Sequence, residues 1–427
     1  MALTLTPGTS LATDDSEGED NVVATIGENE YTSLADAIVE AKEGETVVLQ
    51  QDVEVETSIA VAASITLNLN GNTITNLVED ERLFSVTASG FTVDGTTAGS
   101  GMTIPESNTG SFGFIKIAAK SMVTLNGGTY SGNTDGGAFV KVFHNDELDA
   151  SGSTVIFNNA EMTSNNRFFS TDTLTTDVET PTLQVTGGTF TTDGQAFGMD
   201  VLYRSPVTFT DATVTAGTGP CIEVCGPAAT FTNCNFTVTG ENSNGYGATA
   251  IATSWSGTAE INGGTYSAHN GYGVYVYNSG GKITIKDGTV SGGDAAVRAD
   301  ANVQASSPQQ STVIVEGGST KGAWQTSDAE NAPLVVMGGT HTADVTAYLA
   351  EGCTLTEKRR HLYSTGGSCC PGRRAILRNA GTGLCKCRTG DTVKLLADIE
   401  LTKTQDVTGT DITLDLNGNT ISGSIAN

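Results

Sequence analysis

The sequence predicts an all-β chain wound as a right-handed parallel β-helix, a solenoid with a short N-terminal capping helix. Three observations predict it. The first is composition: 52 of 427 residues are glycine, only 9 are proline and 16% are charged, a balance that suits short strands and tight turns rather than helices. The second is a recurring motif of an apolar residue, a polar one, a glycine pair or its substitute, threonine, and an apolar or aromatic residue. It reads Leu69-Asn-Gly-Asn-Thr-Ile74, Leu125-Asn-Gly-Gly-Thr-Tyr130, Val185-Thr-Gly-Gly-Thr-Phe190 and Ile261-Asn-Gly-Gly-Thr-Tyr266, with looser copies such as Phe231-Thr-Asn-Cys-Asn-Phe236 and Val336-Met-Gly-Gly-Thr-His341. The third is the spacing. The threonine-equivalent positions 189, 213, 235, 265, 289, 319 and 340 lie 21 to 30 residues apart. That is too short for a propeller blade and right for one coil of a solenoid.

The elements follow in chain order. Residues 1–21 read as the tail of a signal peptide, with small residues at Ser10 and Ala12 in the cleavage-site pattern, and an acidic linker. Residues 22–352 form the β-helix domain. Its cap is a helix over 31–43, with Leu34, Ile38 and Ala41 on one face, Ser33 and Asp36 as a capping pair, and Gly44 as the stop. Thr46-Val-Val-Leu49 is the first strand. Each later motif joins two alternating runs through a glycine turn, and period-two alternation sends one side-chain set inward. The spacing implies at least eight coils between about 45 and 345, with Leu69, Leu125, Val185, Ile261 and Ile285 inside. Stacked surface threonines favour strands without adding charges that repel at the strand spacing.

The first-coil pattern returns at the far end. Gly390-Asp-Thr-Val-Lys-Leu395 matches Gly44-Glu-Thr-Val-Val-Leu49, and Ile412-Thr-Leu-Asp-Leu-Asn-Gly-Asn-Thr-Ile421 matches residues 65–74. Residues 390–427 are therefore the truncated start of a second unit of a longer tandem-repeat protein. Between the units, 353–389 is a basic, cysteine-rich linker. Residues 358–388 hold eight basic residues and no acid, while the other 396 carry 13 basic and 48 acidic residues. Cys353, Cys369, Cys370, Cys385 and Cys387 cluster there, with spacing poor for zinc. Three readings stand: a frame error, a disulfide-bearing loop, or a metal or polyanion site. A frame error implies loop, with at most a short helix around Arg373–Arg378.

The helix of the Y-x-x-L-x-x-A-I type, the G-[DE]-T-V-x-L strand and Ile65-Thr-Leu-Asn-Leu-Asn-Gly-Asn-Thr-Ile74 resemble the tandem β-helix surface proteins of Gram-positive gut bacteria. The resemblance covers most of residues 22–345. It implies a secreted or wall-linked module, adhesin-like or stalk-like, on a fold shared with pectin lyases and polygalacturonases. It implies glycans or a host surface as partners.

No catalytic set is legible. The four histidines, His144, His269, His341 and His361, are isolated. Asn133-Thr-Asp-Gly136 matches the first polygalacturonase motif, but its partner motifs are missing, which leaves Asp135 a loop residue. Arg82, Arg167, Arg204 and Arg298 are the arginines of the body. Clustered carboxylates with arginine on one sheet face would favour the alternative, a polysaccharide lyase or glycoside hydrolase. No cofactor and no metal site is expected. With 21 basic against 48 acidic residues the chain repels nucleic acid, and no apolar run is long enough for membrane insertion as a helix. Cys221, Cys225 and Cys234 lie in adjacent coils, where a disulfide between two of them suits an exported protein and interior packing is the alternative. In Gly271-Tyr-Gly-Val-Tyr-Val-Tyr-Asn278 the valines share one face and Tyr275 and Tyr277 the other. With the valines inward these tyrosines, with Tyr272, Tyr246 and Trp255, form an exposed aromatic ladder for sugar rings, against the plainer reading of ladder packing.

Overall fold

The computed structural model describes residues 21–145, 147–171, 179–197, 206–226, 228–241, 248–277, 280–301, 310–358, 361–366 and 375–377, with short pieces at 392–395, 399–400, 405–406, 413–415, 418, 420–422 and 425–426. The leader reading of residues 1–20 lies outside them. Among the described residues there is one α-helix, Leu34–Glu40, and the rest of the regular structure is strand apart from a single 3-10 turn at Thr346–Tyr348. The chain is all-β, and its strands are overwhelmingly parallel.

Each repeat supplies three strand segments. The first segments pair in parallel register from Thr46–Leu49 and Ile65–Asn68 through Met122–Gly127, Thr154–Asn158 and Thr182–Thr186 to Ser311–Val315 and Leu334–Val336, which meets the expected minimum of eight. Their inward row runs Leu67, Val93, Leu125, Phe157, Val185, Phe209, Phe231, Ile261, Ile285, Val315 and Val336, all at most 1% exposed. The expected inward residues Leu69, Leu125, Val185, Ile261 and Ile285 are all buried. The motif alignment slips at one place. Leu67, not Leu69, stacks through Val93 on Leu125, whereas Thr73 stacks through Gly101 on Thr129. The unit of Leu67 holds two more residues in its turn than the unit of Leu125, and there Asn70 and Gly71 take positive φ and Asn72 bonds the Leu49 carbonyl.

The turn between first and second segments explains the motif. Gly127, Asn159, Gly187, Asp211, Asn233 and Gly263 form one row, every member with φ between 51° and 108°. Only glycine, asparagine and aspartate enter that region cheaply. The next position must be small. A Cβ on Gly188 would overlap the Ala160 carbonyl oxygen, and the same row carries Ala160, Ala212, Cys234 and Gly264.

The second segments carry an inward row of Ile74, Met102, Tyr130, Met162, Phe190, Val214, Phe236 and Tyr266. Phe168 and Phe197, from third segments, close a run of ring contacts from Phe157 to Tyr266, with centroids 5.1–6.4 Å apart. Aromatics are only 6% of the chain, yet they concentrate inside, each burial contributing roughly 1.5–3 kcal/mol. The third segments pair in parallel from Ile59–Val61 through Arg82–Val86, Gly113–Ile117 and Ala138–Val142 to Arg167–Thr171, and again from Ile222–Val224 to Trp324–Thr326.

The N-terminal end is covered as expected. Ser33 Oγ accepts the Asp36 amide at 3.3 Å, and Leu34, Ala37 and Ile38 face inward. The helix stops at Ala41, which is already extended, three residues before Gly44. The other end corrects the expected boundary. Cys353–Lys358 and His361–Gly366 form an antiparallel hairpin, and its second strand pairs antiparallel with Gly339–His341. Ala375–Leu377, expected as loop or helix, is a strand paired in parallel with Thr392–Leu395. Part of the basic segment therefore extends the sheets. Cys369, Cys370, Cys385 and Cys387 lie outside the described residues. Thr392 pairs in parallel with Thr413, as Thr46 pairs with Thr66.

Candidate binding face

The outward side of the third segments gathers the polar chemistry. In register across neighbouring strands it presents Glu223, Ala252, Tyr275, Arg298 and Gln325 in one row. Val274 and Val276 point inward, as expected, and are fully buried. The tyrosines do point outward, but the expectation of an exposed ladder is corrected. Tyr272 is 7% and Tyr275 2% exposed, and Tyr277 is half-buried against them. They pack on each other and on one ion pair rather than facing solvent. Tyr272 and Tyr275 lie 5.1 Å apart, Tyr275 and Tyr277 5.6 Å.

Arg298 is the centre of this cluster. Its guanidinium lies 4.7 Å from the Tyr272 ring and 5.0 Å from the Tyr275 ring. It also donates to both Asp300 carboxylate oxygens, at 2.7–3.2 Å, and to the Tyr272 hydroxyl. The Tyr275 hydroxyl donates to Asp300 at 2.6 Å. Burial raises the Tyr275 pKa, and the bond to Asp300 raises it further. For Arg298, burial opposes the charge, but Asp300 and the tyrosines outweigh it and the pKa rises. Both groups therefore stay protonated. The signal in the sequence was the Arg298-Ala-Asp300 spacing, since residues i and i+2 share a strand face. Its significance depended on Tyr272 and Tyr275 lying one unit away.

Two strands from Tyr275 in that row, Glu223 is 1% exposed. Its carboxylate accepts from Ser254 Oγ at 2.5 Å and from Cys225 Sγ at 3.4 Å. The strand carrying Glu223 is three strand spacings, about 14 Å, from the strand carrying Arg298 and Asp300. That exceeds the 6.5–9.5 Å between the carboxylates of an inverting glycosidase.

Trp255 follows Ser254 directly. It is 62% exposed, with φ +49°, and Ser256 has φ +63°. Tyr277 donates its amide to the Thr253 carbonyl at 2.8 Å, which places the Trp255 turn at the same end of its strand as Tyr277. Among the described residues of the expected set, Trp255 alone is openly presented. Tyr246 lies outside the described residues.

The cysteine expectation resolves toward packing. Cys221, Cys225 and Cys234 are all buried and free, so no disulfide joins them. Burial raises the Cys221 pKa and pushes that of Cys234 up to about 11, and both behave as small apolar residues. His341 replaces the motif aromatic and is fully buried, with Nδ1 2.9 Å from Thr320 Oγ1 and its ring 5.4 Å from Trp324. Asp135 is exposed in a loop between strands. Among the described residues no group of three or more His, Cys, Asp or Glu is placed to hold a metal, and no helix is long and apolar enough to cross a membrane. Comparison with family models, curated proteins and solved structures returns no match for the chain.

Proposed function

We propose that the stacked parallel strands form a right-handed β-helix and that the protein is a secreted or cell-surface, non-enzymatic module of a longer tandem-repeat protein. It serves as an adhesin or structural stalk and contacts glycans through Trp255 and the Tyr277 edge. Right-handed winding follows from the twist of parallel crossover connections. The observation that carries the binding reading is Trp255 itself. A large aromatic ring stands 62% exposed on a left-handed backbone position, where asparagine or glycine would cost the fold less. An indole so placed, at the strand end where Tyr277 lies, suits stacking on a sugar ring.

The test is a glycan array with the wild-type chain and Trp255→Asn. Asparagine tolerates positive φ, so the variant keeps its melting temperature while binding falls at least tenfold. Equal glycan binding by both proteins, or by neither, rejects this contact.

A second reading, a polysaccharide lyase or glycoside hydrolase, draws on Arg298 and Asp300 sharing a face with Glu223. The three-strand separation of Glu223 from Asp300 and the raised Tyr275 pKa speak against it. Incubation with polygalacturonate and alginate is expected to release no unsaturated or reducing ends. Product lost in Asp300→Asn would favour the enzyme.

A further inference from the structure

The same outward face, in the N-terminal units, carries an arrangement opposite to the charge of the chain. Lys116 and Lys141 lie directly opposite each other in parallel register, between Ser85 on one side and Ser170 on the other. Both reach over the ring of Phe143, with Nζ 5.3 and 4.6 Å from its centroid, and the Arg82 guanidinium stands 5.4 Å from the same ring. Arg82 is only 4% exposed, and the two lysines are half-buried. Glu81 pairs with Lys116 at 3.1 Å. Like charges directly opposite on adjacent strands repel. Here three cations converge on one ring in a chain of net charge −27.

We infer that this cage is a binding site for the sulfate esters of a sulfated glycan. The donors decide the chemistry. Arg82, whose planar fork suits a carboxylate, is held beneath the surface, while the presented groups are two ammonium ions. Ammonium groups act as point charges with rotatable donors and accept a tetrahedral oxyanion bridging them. Partial burial of the lysines weakens screening by salt. The Phe143 ring holds the stems together before any ligand arrives, which reduces the ordering cost of binding. Lys116 is paired with Glu81, and Arg82 and Lys141 also have other contacts, so a bound anion competes with groups already in place and binding is salt-dependent. The acidic balance of the rest of the body repels polyanions, while the basic segment 358–388 is a competing attachment point, from which loss of binding in the lysine variants distinguishes this face. The site is separate from Trp255 and does not depend on the reading of that residue.

The experiment is affinity electrophoresis of the full chain in gels containing dextran sulfate, phosphomannan, polygalacturonate or neutral dextran. Dextran sulfate is expected to retard the wild-type protein most, and raising the ionic strength to about 0.15 M to weaken retardation severalfold. Lys116→Gln/Lys141→Gln should lower the affinity at least tenfold with an unchanged melting temperature. Lys42→Gln/Lys282→Gln removes the same charge elsewhere and should leave it intact, as should Trp255→Asn. Preference for phosphomannan or polygalacturonate over dextran sulfate overturns the sulfate assignment. No retardation by any polyanion, or equal loss in both double variants, overturns the site. If the lysine pair variant melts early, single Lys141→Gln decides: it must lower the affinity severalfold at an unchanged melting temperature, and undiminished binding overturns the site.

Discussion

At Phe143 three cations surround one ring; at Arg298 one cation is packed among tyrosine rings and bonded to a carboxylate. The two regions occupy equivalent positions of the repeat. Ala138-Phe-Val-Lys-Val-Phe143, Tyr272-Gly-Val-Tyr-Val-Tyr277 and Ala295-Ala-Val-Arg-Ala-Asp300 each send two successive residues inward and then alternate. The inward residues obey the stack. The outward ones, which the core does not constrain, take opposite chemistry. In the C-terminal cluster every charge has a bonded partner, so it ties adjacent units together. In the N-terminal cage Lys116 is bonded to Glu81, and Arg82 and Lys141 also have partners, but like charges lie in register, which offsets part of what those contacts contribute to the fold.

The largest expected effect tests that contrast directly. Asp300→Ala leaves the Arg298 charge half-buried among rings and the Tyr275 hydroxyl without its acceptor, and should cost about 3 kcal/mol in urea unfolding. Replacing both charges, as Arg298→Met/Asp300→Leu, should recover most of that loss, because no uncompensated charge remains. A double variant as unstable as the single one would mean that packing, not pairing, holds the cluster. Tyr275→Phe removes a single hydroxyl donor and should cost about 1 kcal/mol.

Acid should loosen a third place, the last repeat. Burial lowers the His341 pKa below its ordinary 6.5. The folded chain therefore binds this proton less readily than the unfolded one, so the contribution is complete above about pH 6.5 and is lost as pH falls below that value. His341→Phe restores the aromatic of the motif and should flatten this part of the pH–stability curve. An unchanged curve would place the acid sensitivity elsewhere. The smallest effect belongs to the cage. Lys116→Gln relieves repulsion from Lys141 while losing the contact with Glu81, and the melt should move by less than about 0.5 kcal/mol. A loss as large as that of Asp300→Ala would erase the distinction between the two regions.

The capping pair Ser33–Asp36, the first strand Thr46–Leu49 and the inward positions Leu125, Val185, Ile261 and Ile285 were legible because each depends on residues a few places apart. The turn row was legible because positive φ restricts the residue types allowed there. The two-residue offset at Leu67 was not, since a longer turn in one unit leaves the local pattern intact. The site was half legible. The outward direction of Tyr275 and Tyr277 followed from alternation, but their burial followed from Arg298 and Asp300 more than twenty residues on.

By itself the sequence determined the strand alternation, the glycine turns, the helix that covers the first strand and the acidic balance of the chain, all properties of short windows or of composition. The tertiary structure decided what meets on the outside. Lys116 sits opposite Lys141, Tyr275 opposite Arg298 and Glu223 opposite Ala252 because each unit has its own loop length, and one residue more or less in a loop changes which side chains share a row. Stacking fixes the inward rows through the hydrophobic effect, which is indifferent to identity beyond size. Charge and aromatic pairing depend on distances of a few ångströms, and only the register across units sets those.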